Sequence, residues 1–253
     1  MDKLFHKINE ESWTTPICSL YAAAIFHLGG LMMSVIRKKK VLAVLFLSLF
    51  VLGGCMNKET PGEKAYSLLE KTAEAEDGFE KQQDPLVKLE KQEKELYDQI
   101  IALGMKEFDQ IKKLSDEALE AVGKREELMN KEQESIESSK EEFAPLEDII
   151  PDIEDKEAKE SAEELYKVMM DRYSVHDELY SEYKKGLELD KELYSLFKKE
   201  DLTMEQLEAQ IEKINQSYEQ LTVHNKEFNE LTKKYNEIKL SFYKQAGVEV
   251  AAE

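Results

Sequence analysis

Cysteine is scarce in this 253-residue chain, which contains only Cys18 and Cys55. No cysteine follows Cys55, so the region from there to Glu253 has no disulfide framework of its own. A thiolate metal site in that region is excluded for the same reason. The fold must therefore be held together by non-covalent packing.

The chain also lacks the residue patterns of known catalytic and metal sites. It contains no G-x-S-x-G, Walker, H-E-x-x-H or dinucleotide-binding glycine motif. The residues three before His176 and His224 are Tyr173 and Leu221, whereas di-iron bundles need glutamate there. Acidic residues are so abundant that pairs of them indicate a solvated surface rather than catalysis. We therefore predict no enzyme, no metal site and no cofactor.

Proline and glycine are few, at five and ten residues. No segment alternates polar and apolar residues as a half-buried strand does. Glutamate, lysine, leucine and glutamine dominate the chain after residue 55, which is the composition of long helices. The sequence therefore predicts an all-α protein.

Basic residues are outnumbered, with 35 lysines and arginines against 54 acidic residues. The segment before Cys55 holds six of the basic and three of the acidic residues, which leaves 29 and 51 and a formal charge of −22 for the remainder. A surface of this charge repels nucleic acid and anionic lipid headgroups. We therefore expect no nucleic-acid partner.

Long apolar runs are absent except for Val41 to Leu52, which is shorter than the roughly 20 residues that span a bilayer. Four basic residues, Arg37 to Lys40, precede this run, as in a secretory signal peptide. Leu52, Gly53, Gly54 and Cys55 follow in the pattern of a lipobox, where signal peptidase recognises the first three residues and the cysteine receives a diacylglyceryl group. The alternative is an ordinary cleaved signal with an incidental cysteine.

The position of the signal peptide suggests a domain organisation. A signal peptide works best at the true N-terminus, and Gly29-Gly30 can be encoded by a purine-rich ribosome-binding sequence. We therefore expect translation to start at Met32 or Met33, although a real, disordered extension is the alternative. The expected parts are an upstream extension (1–32), a signal peptide (33–54), a lipidated cysteine with a short linker (55–60), a helical bundle (61–246) and a disordered tail (247–253).

Capping patterns predict where helices begin. Thr60-Pro61-Gly62-Glu63 is a capping box with proline at the first helical position, and it predicts a short helix over about residues 61–82. Asp84-Pro85 predicts the start of a helix that meets no further proline before Pro145 and would be about 90 Å long. A bend at Gly104 or Gly123 is left open.

Two further helices are predicted after the acidic turn at Leu146–Asp155. One runs from about Lys156 to Lys199, and the other follows the capping box Thr203–Gln206. Short connections make neighbouring helices antiparallel. The predicted fold is an antiparallel up-and-down bundle of three long helices plus a shorter N-terminal helix, with coiled-coil-like packing.

This layout resembles the YkyA-type cell-wall binding lipoproteins of Gram-positive bacteria. The resemblance rests on the Gly53-Gly54-Cys55 signal, the proline-capped short helix and the helix that continues through Ile100-Ile101-Ala102-Leu103-Gly104 to Arg125-Glu126. It implies a lipid-anchored, extracytoplasmic helical bundle associated with the cell wall and without a known enzymatic activity. It supplies no catalytic residues to transfer to this sequence.

Tyrosines form a column on one helix face, at Tyr166, Tyr173, Tyr180 and Tyr194, with Tyr183 nearby. Such rings can stack on glycan sugars or hold a hydrophobic peptide. Heptad spacing is also what interhelical packing requires, and buried rings at the edge of the bundle core are the favoured interpretation.

Arg125 and Arg172 are the only arginines after the signal peptide, and both fall beside apolar positions. Together with His176 they predict a buried polar layer. We expect interhelical carboxylate pairs, with Arg172 near Glu126 or Glu127, His176 level with about Glu227, and Arg125 level with Tyr173–Asp177. The favoured role is to fix helix register rather than to bind a ligand.

The combined prediction is a non-enzymatic lipoprotein at the outer face of the cell membrane, at its interface with the wall. Its expected partners are the membrane, through the lipid on Cys55, and peptidoglycan or another wall polymer. The alternative is a helical protein-binding or chaperone-like module that holds another exported protein.

Overall fold

A computed structural model of the protein describes residues 59–103 and 107–248. These residues form two short α-helices, four long α-helices, a 3₁₀ turn and no strand, which confirms the predicted all-α class. The elements are α1 (Pro61–Ala75), α2 (Asp77–Ala102), α3 (Phe108–Phe143), α4 (Leu146–Ile149), a 3₁₀ turn (Ile150–Asp152), α5 (Lys156–Phe197) and α6 (Met204–Gln245). None of the helices in the described ranges is long and apolar enough to cross a membrane.

The helices form an up-and-down bundle. α1 and α2 follow one another along α3, which runs in the opposite direction, and α5 and α6 continue the alternation. One end of the bundle, the N-terminal end, contains Pro61, the connection at residues 144–155 and Gln245. The other, the hairpin end, contains Leu103, Glu107 and the connection at 198–203. α5 has 42 residues, so the bundle is about 63 Å long at 1.5 Å per residue.

The single helix predicted from Asp84 to Pro145 is wrong. The chain leaves the helix at Leu103, which has extended backbone angles, and a separate helix begins at Phe108. α3 then packs antiparallel against α2. A continuous helix would have carried the two apolar stripes away from each other, whereas the reversal brings Ile100 and Ile111 into one buried cluster.

The predicted helix start at Asp84-Pro85 is also wrong, because Pro85 lies inside α2. Proline removes one helical hydrogen bond and normally interrupts a helix. Here Leu86, Glu90 and Leu96 are buried on one face of α2 on the C-terminal side of the proline. Packing of that face on the bundle keeps the helix continuous, so tertiary contacts override the local preference.

The predicted capping boxes are present at both threonines. The hydroxyls of Thr60 and Thr203 each accept a hydrogen bond from the backbone N–H three residues later, and the backbone N–H of each threonine donates one to the side chain of that same later residue. At the opposite end of α6, Gly247 has φ +66° and Val248 N–H donates to the Tyr243 carbonyl at 3.1 Å. The first two residues of the predicted disordered tail therefore close the helix, and residues 249–253 lie outside the described ranges.

The bundle has two apolar clusters along its length. The cluster towards the N-terminal end includes Leu69, Phe143 and Phe242, and the cluster towards the hairpin end includes Ile100, Ile111 and Leu207. All fully buried members of both clusters lie between Ala65 and Tyr243. A fragment from residue 57 to 253 therefore contains both cores and is expected to fold.

A serine hydroxyl separates α1 from α2. Ser135 Oγ on α3 donates to the Ala75 carbonyl at 2.6 Å and accepts from Phe79 N–H at 2.9 Å. In an uninterrupted helix these two backbone groups would bond to each other, since they are four residues apart. Side-chain insertion of this kind is a recognised cause of helix kinks. The neighbouring Gly78 makes the approach possible, because a Cβ there would lie 2.8 Å from Ser135 Oγ.

This packing predicts opposite effects for the same substitution at two helical glycines. Gly123→Ala adds a Cβ with no atom within 4 Å and should stabilise the protein by up to about 1 kcal/mol through helix propensity. Gly78→Ala should destabilise it by about 1–3 kcal/mol through overpacking against Ser135. Urea denaturation of residues 57–253 measures both. Equal stabilisation by the two substitutions would contradict the serine insertion.

Candidate functional site: the buried polar clusters

The first buried polar cluster lies around Arg125 on α3, which is 2% exposed. Arg125 Nη1 donates to Glu93 Oε2 at 2.5 Å and to Asp190 Oδ2 at 3.3 Å. Arg125 Nε donates to the Tyr183 hydroxyl at 3.0 Å. One guanidinium thus joins α2, α3 and α5.

Two tyrosine hydroxyls complete the hydrogen bonding around this arginine. Tyr183 donates to Glu90 Oε1 at 3.1 Å, and Glu90 Oε1 lies 3.8 Å from Arg125 Nη2. Tyr218 on α6 donates to Asp190 Oδ2 at 2.8 Å. The layer therefore draws on all four long helices, and we call it the Arg125 cluster: Glu90, Glu93, Arg125, Tyr183, Asp190 and Tyr218.

Burial dominates the electrostatics of the Arg125 cluster. Desolvation raises the pKa of Glu90 to about 7 against the opposing influence of Arg125 and Tyr183. Desolvation, reinforced by the charge of Glu93, likewise raises the pKa of Asp190 to about 7. Burial alone would lower the pKa of Arg125, but Tyr183 and Glu93 outweigh it and raise that pKa above its usual value.

The second buried polar cluster lies at the junction of α1 and α2. Arg172 on α5 donates from Nη1 and Nη2 to the two carboxylate oxygens of Glu76, at 2.6 and 2.9 Å. Its Nε donates to Thr232 Oγ1 on α6 at 2.8 Å. Ser139 donates to Glu76 Oε1 at 3.0 Å and lies 2.7 Å from the Tyr173 hydroxyl. Because Glu76 lies at the kink between α1 and α2, its side chain reaches Arg172 and forms a bidentate ion pair with it.

His176 lies close to this junction and is fully buried. Its Nε2 is 3.2 Å from Glu132 Oε1, and Gln83 donates to the other oxygen of that carboxylate at 2.8 Å. The rings of Phe79 and Phe228 lie 5.9 and 5.4 Å from the imidazole centroid. The histidine therefore sits between aromatic rings with one carboxylate partner.

The predicted partner of Arg172 is corrected by these contacts. Arg172 pairs with Glu76 rather than with Glu126 or Glu127. Glu126 instead binds Lys184 and Lys191, whose hydrogen bonds lower its pKa. The prediction missed Glu76 because it placed this residue inside an unbroken helix at 61–82, whereas the observed break between α1 and α2 lies at Glu76 and lets it meet Arg172.

The predicted register of His176 is confirmed, whereas that of Arg125 is wrong. His176 lies level with Glu227 on α6, since its ring centroid is 5.4 Å from that of Phe228, but its carboxylate partner is Glu132 on α3. Arg125 reaches Tyr183 and residue 190 on α5, about two to four turns beyond the predicted 173–177 segment. The physical reason is the connection at 144–155, which contains α4 and a 3₁₀ turn and so moves the point of chain reversal towards α5.

The tyrosine column faces the inside of the bundle more than the solvent. Tyr173, Tyr183 and Tyr194 are at most 3% exposed. Tyr166 and Tyr180 are half-buried, and their hydroxyls donate to Glu147 and Asn130 at 2.9 and 2.8 Å. This arrangement favours the packing interpretation over a continuous ligand-facing surface.

Other predicted site residues are placed as follows. Leu52, Gly53, Gly54 and Cys55 lie outside the described residues. Within residues 59–103 and 107–248, no three or more histidine, cysteine, aspartate and glutamate side chains are grouped so as to hold a metal ion.

The sequence reasoning missed most of the buried acids. Glu90 and Glu93 interrupt the apolar stripe of α2 between Leu86 and Leu96, and this interruption was a usable signal. The sequence contains no comparable signal for Asp190, because acidic residues occur throughout α5. It contains none for Ser135 either, since the role of this serine depends on which helix crosses it.

A known protein family matches this chain over the extent of the helical bundle. Residues 60–245 match the model of a family described as "Putative cell-wall binding lipoprotein", the YkyA family. The chain belongs to the YkyA family. The match begins at the capping threonine of α1 and ends at the last residue of α6. The resemblance predicted from the sequence is thereby confirmed.

A curated relative supports the same assignment for this YkyA family member. The "Uncharacterized lipoprotein YkyA" of Bacillus subtilis (strain 168) is 40% identical over 200 residues, which cover 79% of this chain and 89% of the relative. No solved structure matches the chain. Membership of the YkyA family places the protein among envelope-associated lipoproteins.

The geometry of the second cluster predicts strong coupling between Arg172 and Glu76. A double-mutant cycle with Arg172→Met and Glu76→Gln should give a coupling energy of about 1.5–3 kcal/mol, because the bond is bidentate and charge-assisted. Urea denaturation measures the four stabilities. The matched cycle with Glu126→Gln should give no coupling to Arg172, and coupling there instead would contradict the observed register.

Proposed function

We propose that this YkyA family member is a non-enzymatic lipoprotein, held at the outer face of the membrane by a diacylglyceryl group on Cys55, whose bundle associates with the cell wall. The observation that carries the proposal is the direction of the bundle, which has the start of α1 at one end and the hairpin connections at the other. α1 begins at Pro61 at one end, and the hairpin end lies about 63 Å away. A linker of five residues spans at most about 18 Å, so the lipid end stays close to the membrane while the hairpin end extends away from it.

The buried clusters support a non-enzymatic role. Acids with raised pKa values are often catalytic when they line a cleft, but Glu90 and Asp190 are only 4% and 3% exposed. An open groove of about 540 Å³ lies between α5 and α6 near the hairpin end, and neither acid lines it. Because both carboxyl groups are buried and neither opens onto this groove, a structural role is favoured over a catalytic one.

The lipid anchor is tested by labelling cells with radioactive palmitate. The protein should incorporate label through Cys55, and Cys55→Ala should abolish it, because the thiol is the acceptor of the lipid. The matched variant Cys18→Ala should keep full labelling. Label that persists in Cys55→Ala would refute the anchor.

Wall association is tested by sedimenting residues 57–253 with purified, protein-free wall, before and after removal of teichoic acids and across a salt series. Retention that survives removal indicates peptidoglycan as the ligand. Retention that is lost on removal and weakened by salt indicates the phosphate groups of teichoic acid. The absence of retention in every condition would refute direct wall binding and favour the alternative, a module that binds another exported protein.

A pair of lysine variants sharpens this experiment. Lys199 and Lys213 line the groove near the hairpin end, whereas Lys64 and Lys71 are exposed on α1 at the N-terminal end. If teichoic acid is the ligand and the hairpin end meets the wall, Lys199→Gln/Lys213→Gln should lower retention several-fold and Lys64→Gln/Lys71→Gln should not. Equal losses in both variants would indicate a non-specific charge effect.

A further inference from the structure

The Arg125 cluster contains more acid than base. Three carboxyl groups, those of Glu90, Glu93 and Asp190, surround one guanidinium, and each side chain is at most 7% exposed. If all three carboxyl groups were ionised, the layer would hold two uncompensated negative charges away from water. Like charges in a buried site disfavour full ionisation, and one or more of the acids then keeps a proton.

The charged and titratable groups facing the acids come from every helix packed on the layer. α2 supplies the two glutamates, α3 supplies Arg125 and, further along, Glu132, which also acts on Glu90. α5 supplies Tyr183 and Asp190, and α6 supplies Tyr218. Only Arg125 is a base, so no second cation within the cluster can balance the acids.

The cluster also links α2 to α5 through polar groups. Aromatic contacts join the same two helices at Phe79 with His176 and at Tyr97 with Phe197. Within the cluster, Tyr183 donates to Glu90, and Arg125 lies between Glu93 and Asp190. Ionisation of both Glu90 and Asp190 would set carboxylates of α2 against a carboxylate of α5. The repulsion would act at the point where α2 is tied to the far side of the bundle.

We propose that the Arg125 cluster is a proton-dependent latch that ties α2 to α5 while Glu90 or Asp190 carries a proton and loosens α2 when both are ionised. The direction follows from linkage: acids whose pKa is higher in the closed bundle than in an open one stabilise the closed form at low pH. Their reference pKa values are 4.5 and 3.8, and both are raised to about 7 in the bundle. The latch therefore weakens as pH rises from about 4 to about 7 and changes little above that.

Hydrogen exchange measured by mass spectrometry tests the latch on residues 57–253. After correction for intrinsic exchange rates, the protection of α2 peptides relative to α6 peptides should fall at least tenfold between pH 5 and pH 8. The variant Glu90→Gln/Asp190→Asn cannot ionise at these positions, so its relative protection should change less than twofold over the same range.

The matched control is Glu134→Gln/Asp171→Asn, which removes the same two charges from exposed positions on α3 and α5. It should keep the pH dependence of the wild type. The latch would be refuted by a wild-type protein without pH dependence, by an unchanged slope in Glu90→Gln/Asp190→Asn, or by protection lost equally from all helices.

A second measurement covers the case in which the double variant does not fold. Carbon-13 NMR of the side-chain carboxyl groups follows each titration directly, and Asp190→Asn alone identifies the Asp190 signal. Two buried carboxyl groups should titrate near neutral pH in the wild type, and one should remain in Asp190→Asn. Titration of every carboxyl group below pH 5 would overturn the proposal independently of any effect on stability.

Discussion

Burial of two guanidinium groups is the constraint on which this bundle depends. An arginine cannot lose its charge in a protein interior, so each must be surrounded by acids and hydroxyls drawn from other helices. Arg125 binds groups of α2 and α5, with Tyr218 of α6 bonded to Asp190. Arg172 binds Glu76 at the α1–α2 junction and Thr232 on α6. These contacts fix the axial position of each helix relative to its neighbours, which apolar side chains of similar size specify only loosely.

At the junction between α1 and α2, the replacement of one backbone hydrogen bond by a side-chain hydroxyl determines a contact elsewhere in the bundle. The Ser135 hydroxyl replaces the backbone bond between Ala75 and Phe79, and the small Gly78 lets α3 come close enough for this to happen. Because the helix line turns there, Glu76 points into the bundle and meets Arg172. The second polar cluster is thus a consequence of the kink, and loss of either would disturb the other.

The family assignment and the architecture describe complementary aspects of the protein. Membership of the YkyA family places it in the cell envelope, and the bundle gives it an elongated body with its first helix starting at one end. The two buried polar clusters are enclosed by the bundle, so the proposed association with the wall would involve the outer faces and the hairpin end. The polar contacts of the interior join the helices to one another.

Local sequence determined the helical class, the starts of α1 and α6 at Thr60 and Thr203, and the resemblance to the family, because caps and composition act over a few residues. It also indicated that Arg125, Arg172 and His176 form buried polar contacts. Only the tertiary structure decided the reversal after Leu103, the continuity of α2 through Pro85 and the partners of the two arginines. Those outcomes depend on which helices lie side by side and on how far each connection shifts the register, and neither quantity is local to the residues concerned.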